Sequence, residues 1–153
     1  MDAKRRALYG IVGGAGGTLV LSGLRRLMSK VGLVHETAPG QVVTRLEELG
    51  ILGGLSPRGR HAVTVLAHYA YGLGVGLCFG LLRRRQAGIA EETSVGAALG
   101  VLSWGLGWSS WLPLFGVHSP PWRQDSPRVL LPIVDHAVFG AVWGAVRRLL
   151  PHV

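Results

Sequence analysis

The chain has 153 residues, 48% hydrophobic and 16% charged, with a mean hydropathy of +0.36 and a formal net charge of +8. A soluble domain carries about a quarter charged residues, so this balance argues against a solvated globule. A nucleic-acid partner is also disfavoured, because the cations cluster at the ends of apolar runs (Lys4-Arg5-Arg6, Arg25-Arg26, Arg83-Arg84-Arg85, Arg147-Arg148), where they fit headgroup anchoring, rather than along one face.

The first apolar run, 7–24, follows Lys4-Arg5-Arg6 as a signal peptide would, but no small-x-small cleavage site follows and Arg25-Arg26 close it. It reads as a retained membrane helix. Its Ile11-Val12-Gly13-Gly14-Ala15-Gly16-Gly17 resembles a dinucleotide-binding turn, with Glu36 at the expected spacing, but position 19 is not glycine and there is no room for a preceding strand. Its glycines instead supply small-xxx-small spacing for close helix contact. Residues 25–56 are the longest polar segment. Pro39 can open a short helix there and Gly50 can end it, with Val42, Val43, Leu46 and Leu49 on one face. Two placements are open for this amphipathic helix: flat on the membrane surface, or packed on the ends of the bundle.

Ser56-Pro57 is an N-cap followed by an N1 proline, so a second span is expected over 57–82. Its single cysteine, Cys78, allows no internal disulfide, matches no zinc spacing and reads as a small packing residue. The third span is expected over 94–112, ended by Pro113 and Gly116. A proline-rich loop leads to the fourth, 129–150, with Pro132 in its first turns and Pro151 after it. Short loops make neighbouring spans antiparallel, and an even number puts both termini on one side, which the arginine distribution favours as cytoplasmic.

The second and fourth spans share a pattern. His68-Tyr69-Ala70-Tyr71-Gly72 with Gly76 and Gly80 is echoed by His136-Ala137-Val138-Phe139-Gly140 with Gly144, both H-x-x-aromatic-G-x-x-x-G. Equal spacing in parallel helices puts both imidazoles at one depth, as a two-fold parallel repeat of helix pairs would. Gly72, Gly76, Gly80, Gly140 and Gly144 form packing faces, since lipid gives no hydrophobic drive and close backbone contact must replace it. At the histidine depth the third span offers Trp104, Trp108 and Trp111 on one face, and Asp135 precedes His136.

The candidate site is therefore His68, His136, Asp135, Tyr71, Trp108 and Trp111. Ionisable groups in a span point to function by default. Three chemistries are open: the two histidines as ligands to a metal or haem iron, as a proton relay, or as hydrogen-bonding groups for a small polar ligand. The alternative is structural, with the histidines bonding across helices, Asp135 near a helix N-terminus and the tryptophans in an interface belt. No H-E-x-x-H, P-loop or nucleophile elbow is present, so no catalytic residue is assigned. Asp135 and His136 diverge by about 100° on a helix and cannot form a dyad. His35, His61, His118 and His152 are expected in loops or at ends without a role.

In this order, glycine-rich helix, proline-glycine amphipathic link, His-x-x-aromatic-Gly helix, Gly96-x-x-x-Gly100 with Pro113-x-x-Gly116, and a closing His-x-x-aromatic-Gly-x-x-x-Gly helix, the chain resembles the YagU-like group of small bacterial inner-membrane proteins. The resemblance implies a four-span inner-membrane protein, with one member linked to acid tolerance, and carries no established catalytic residues. The expectation is an all-α membrane protein: four transmembrane helices in a glycine-packed bundle, with a polar site for a proton, ion or small ligand. A structural or assembly subunit, docking a second copy or a partner subunit, is the rival.

Overall fold

The computed structural model describes residues 1–33 and 37–150, and Pro127 by its backbone alone; His35, Pro151 and His152 lie outside the described residues. Among the described residues the secondary structure is helical. Five helices carry the fold: α1 (Ala3–Lys30), α2 (Ala38–Glu48), α3 (Pro57–Leu82), α4 (Ile89–Leu106) and α5 (Ser126–Leu149). A π-helical turn, Gly107–Trp111, and one α-helical turn, Leu112–Leu114, continue α4. Three helices are long and apolar enough to cross a membrane: α1, α3 and the Arg128–Leu149 portion of α5.

Local chemistry sets the boundaries. Asp2 caps α1, its carboxylate accepting from the Arg5 amide at 2.8 Å. The first helix exceeds the expected 7–24 at both ends, because Lys4 to Arg6 and Arg25-Arg26 are good helix formers that extend rather than end it. Gly32, at φ +76°, follows its end. Ser56 caps α3 through the Gly59 amide at 3.1 Å, ahead of Pro57. The third helix begins at Ile89, not 94, because Gly88 is its N-cap and Glu91 and Glu92 occupy its first turn, where carboxylates favour the helix dipole. Pro113 does not stop it: proline is accommodated in the first positions of the added turn, and Gly116, at φ +69°, follows the end instead. The last helix runs from Ser126 rather than 129, with Pro127 in its first turn.

Glycine decides how the helices meet. In the antiparallel α1–α3 crossing, Gly10 and Gly14 interlock with Gly72, Gly76 and Gly80. A Cβ on Gly76 would sit 2.5 Å from the Gly10 carbonyl oxygen and 2.7 Å from the Gly14 Cα, so only glycine permits this approach. The α4–α5 crossing uses the same device, with Gly96 and Gly100 against Gly140 and Gly144. The two pairs join along α1 and α5, where Trp143 covers Gly13 and Phe139 covers Gly17. Trp143 is fully buried, its indole N–H donates to the Gly10 carbonyl at 3.2 Å, and its ring meets Phe79 edge-on at 5.4 Å. The backbones thus approach in the order α3–α1–α5–α4, and an apolar groove separates α3 from α4 on the far side.

Large apolar side chains mostly face outward. Leu19, Leu66, Leu82, Leu102, Leu106 and Leu130 are all exposed, while much of the interior is glycine with a few aromatics. Cys78 is exposed on the groove rather than packed inside, because the glycines on the opposite face of α3 take the helix contact. α2 packs against α3 at the loop end, burying Val43. Glu47 pairs with Arg60 of α3, and the Arg45 Nε donates to the Phe115 carbonyl at 3.1 Å. Of the two placements open for this helix, the structure has it on the bundle.

At the opposite end Arg147, expected as a headgroup anchor, is fully buried against fully buried Glu92. Its second nitrogen donates to the carbonyls of Arg83 at 2.9 Å and Arg85 at 3.2 Å. Glu92 also accepts from the Ala87 amide at 2.9 Å and from Arg83 at 3.2 Å. This cluster ties the α3–α4 turn to α5. Each charge is paired and makes further hydrogen bonds, which favours tolerance of a buried ion pair, while Arg83 Nε and Arg147 Nε have no hydrogen-bond partner among the described residues.

Candidate functional site

The antiparallel run of α1 past α5 brings Arg25 to Asp135. Arg25 Nη2 lies 2.6 Å from Asp135 Oδ2, and the Asp135 side chain is 0% exposed. Arg25 is therefore an interior ion-pair partner and not the helix-closing anchor expected from its position at the end of an apolar run. The pair leaves Asp135 incompletely satisfied: Oδ1 is buried without a hydrogen-bond partner among the described residues.

The two histidines lie beside this pair. His68, on α3, has its Nε2 3.2 Å from the Ser22 hydroxyl of α1. His136 donates from Nδ1 to the Pro132 carbonyl one turn earlier at 2.7 Å, which leaves its Nε2 as an acceptor. Each imidazole is within electrostatic reach of Arg25, and His68 is within reach of His136. The parallel course of α3 and α5 thus brings His68, His136 and Asp135 into one polar layer, completed from α1 by Ser22 and Arg25.

Above Asp135, on the loop side, opens a cavity of about 470 Å³. Arg25 and Asp135 are part of its wall, with Arg123, Arg128 and Asp125 nearer the outside. Trp108 and His118 complete it: their rings stack at 4.2 Å, and the Trp108 indole N–H donates to the Gln124 side-chain oxygen at 3.3 Å. His118 Nε2 is a second buried polar atom without a partner among the described residues. The sequence assigns His118 no role. Its position, in a proline-rich loop before α5, gives no sign that the loop folds back over the π turn.

The π turn separates the tryptophans. Its extra residue breaks the spacing that would stack Trp104, Trp108 and Trp111 on one face. Trp108 points into the polar cavity, whereas Trp111 lies on the apolar groove between α3 and α4. Tyr71 also lines that groove, within hydrogen-bonding reach of Ser103, and does not join the histidines. Of the six candidate residues, the structure gathers His68, His136, Asp135 and Trp108 around the polar layer and its cavity, and places Tyr71 and Trp111 elsewhere.

Among the described residues no group of three or more histidine, cysteine, aspartate or glutamate side chains gathers as a metal site. The donors in the polar layer are two imidazoles, each with one nitrogen already engaged, and a carboxylate facing a guanidinium. Comparison with protein-family models, curated proteins and solved structures finds no match to this chain.

Proposed function

We propose that the protein is an integral membrane protein whose four long helices all cross the bilayer, and that it binds a proton, an ion or a small polar ligand at the Arg25–Asp135 pair. α4 misses the apolarity of the other three because Glu91 and Glu92 open it, but Glu92 is neutralised by Arg147, and Leu102 and Leu106 face outward as lipid-facing residues do. With its π and α turns the α4 rod spans 89–114, about 39 Å at 1.5 Å per residue. Location in a bacterial inner membrane, with both termini cytoplasmic, is part of the proposal and follows from the resemblance and the arginine clusters. So is descent of the two glycine-crossed pairs from one duplicated unit.

The observation that carries the ligand reading is Asp135: fully buried, one oxygen unsatisfied, at the floor of a polar cavity open toward the loops. Buried polar atoms in folded proteins are nearly always paired, so an unpaired carboxylate oxygen in a cavity marks a place for a donor. His68 and His136 lie beneath it as a route or a reservoir for a proton. A haem or tightly held metal on the two histidines is a lesser form of the same reading.

The test uses protein reconstituted in nanodiscs, wild type beside His68→Ala/His136→Ala. Both proteins carry His118→Gln, which removes the imidazole that lies against Trp108. A tryptophan fluorescence change between about pH 5 and 8 is expected with His68 and His136 intact, since Trp108 lines the cavity, and is expected to vanish when both are replaced while the fold is kept. An absorption spectrum and metal analysis on the same samples report a haem or metal. One observation favours the structural rival: both histidines have partners within the chain, Ser22 and the Pro132 carbonyl. Under that reading the loss of His68 and His136 lowers thermal stability, and the His118→Gln protein that keeps them shows no pH response.

A further inference from the structure

The groove between α3 and α4 is a different environment from the polar cavity. It measures about 420 Å³ and is walled almost wholly by apolar side chains, among them Val75, Phe79 and Leu82 of α3 and Leu99, Leu102 and Leu106 of α4. It follows α3 from Ala70 to Leu82, about 18 Å of helix at 1.5 Å rise per residue. Its walls and its course along α3 suit an extended hydrocarbon chain.

Its terminal end is basic. Leu82 is followed at once by Arg83, Arg84 and Arg85. Arg83 is held by Glu91 and Glu92 inside the ion cluster. Arg84 is exposed and carries no ion pair among the described residues, and the Arg85 side chain is 74% exposed with only a 3.7 Å approach to Glu91. Two cations are thus available where a lipid headgroup would lie. Basic residues at the membrane surface attract anionic lipid there.

We infer that this groove is a binding site for an anionic phospholipid, one acyl chain lying between α3 and α4 and the phosphate resting on Arg84 and Arg85. The inference rests on the proposal that α3 and α4 cross the bilayer, and is independent of the polar cavity. Gly74 gives the means to test it. Gly74 lines the groove and a Cβ there meets nothing within 4 Å, so Gly74→Leu starts a side chain into groove space without a backbone clash at its base.

The protein purified in mild detergent is mixed with palmitoyl-chain phosphatidylglycerol or phosphatidylcholine and examined by native mass spectrometry. Wild type is expected to hold one phosphatidylglycerol per chain in preference to phosphatidylcholine. Gly74→Leu should reduce retention about tenfold or more by removing the acyl contacts. Arg84→Gln/Arg85→Gln should bring the two lipids to parity. Retention by Gly74→Leu equal to wild type, or a groove-dependent dimer in place of bound lipid, overturns the inference. Cys78, exposed on the groove, gives a reading on the unaltered protein: phosphatidylglycerol should slow its reaction with a maleimide, and an unchanged rate also overturns the inference. Alkaline extraction of cell membranes separates the two levels: a protein released by alkali defeats the membrane proposal itself, whereas one retained in the membrane without lipid in the groove defeats only this inference.

Discussion

Asp135 is where one side chain carries the most consequence. Its charge is removed from water and matched by one guanidinium. Removing either partner alone leaves a buried charge uncompensated, which in other proteins costs about 3–5 kcal/mol. Asp135→Leu and Arg25→Met should therefore each lower the midpoint of thermal unfolding in detergent. The double variant, Arg25→Met/Asp135→Leu, should regain most of that loss, because a well-packed apolar pair often equals or exceeds a buried ion pair. A double variant that is stable but has lost the pH response would assign the pair to function. A double variant no more stable than the singles would mean that Arg25 or Asp135 has a further structural contact.

At the scale of the element, glycine spacing is the determinant. Gly76→Leu places a side chain where even a Cβ meets the backbone of α1, and the expected outcome is loss of the α1–α3 crossing, seen as aggregation or a large fall in thermal midpoint. Gly23 is the control. It lies on the same helix as Gly10 and Gly14, but a Cβ there meets nothing within 4 Å, so Gly23→Leu should leave assembly unchanged within about 0.5 kcal/mol. The glycine faces were legible in the sequence because four-residue spacing maps directly onto one side of a helix. The start of α4 was not. Glu91 and Glu92 look like loop residues before an apolar run, and the spacing gives no sign that Arg83 pairs with both and that the distant Arg147 accompanies Glu92 into the interior.

For the whole molecule, the long helices and the common depth of His68 and His136 could be read from hydropathy and spacing. What escaped the sequence was long-range charge pairing. Arg25 and Arg147 sit beside other arginines at the ends of apolar runs, and that position alone reads as anchoring. Asp135 in an apolar helix was the one visible signal that a cation at the same depth had to exist. The π turn was equally hidden, since no residue type specifies the extra unit that divides Trp108 from Trp111. The consequence is that the polar cavity and the apolar groove are separate compartments. Occupying one should leave the other unaffected: lipid loading is expected to leave the pH response of Trp108 fluorescence unchanged, which the same reconstituted samples can check.

The Glu92–Arg147 cluster also bears on how the chain is made. The two residues are 55 positions apart, and synthesis at about 5–20 residues per second delivers the second about 3–11 s after the first. During that interval the Glu92 carboxylate, destined for full burial, has Arg83 on one oxygen but nothing from α5 on the other, and the peptide carbonyls after α3 lack the Arg147 donor that will cover them. The α3–α4 hairpin is therefore unfinished at the moment it leaves the ribosome. Nascent chains arrested before Arg147 should be cut by membrane proteases that spare the completed protein, and the arrival of the last helix becomes the step that commits the newborn molecule to its final shape.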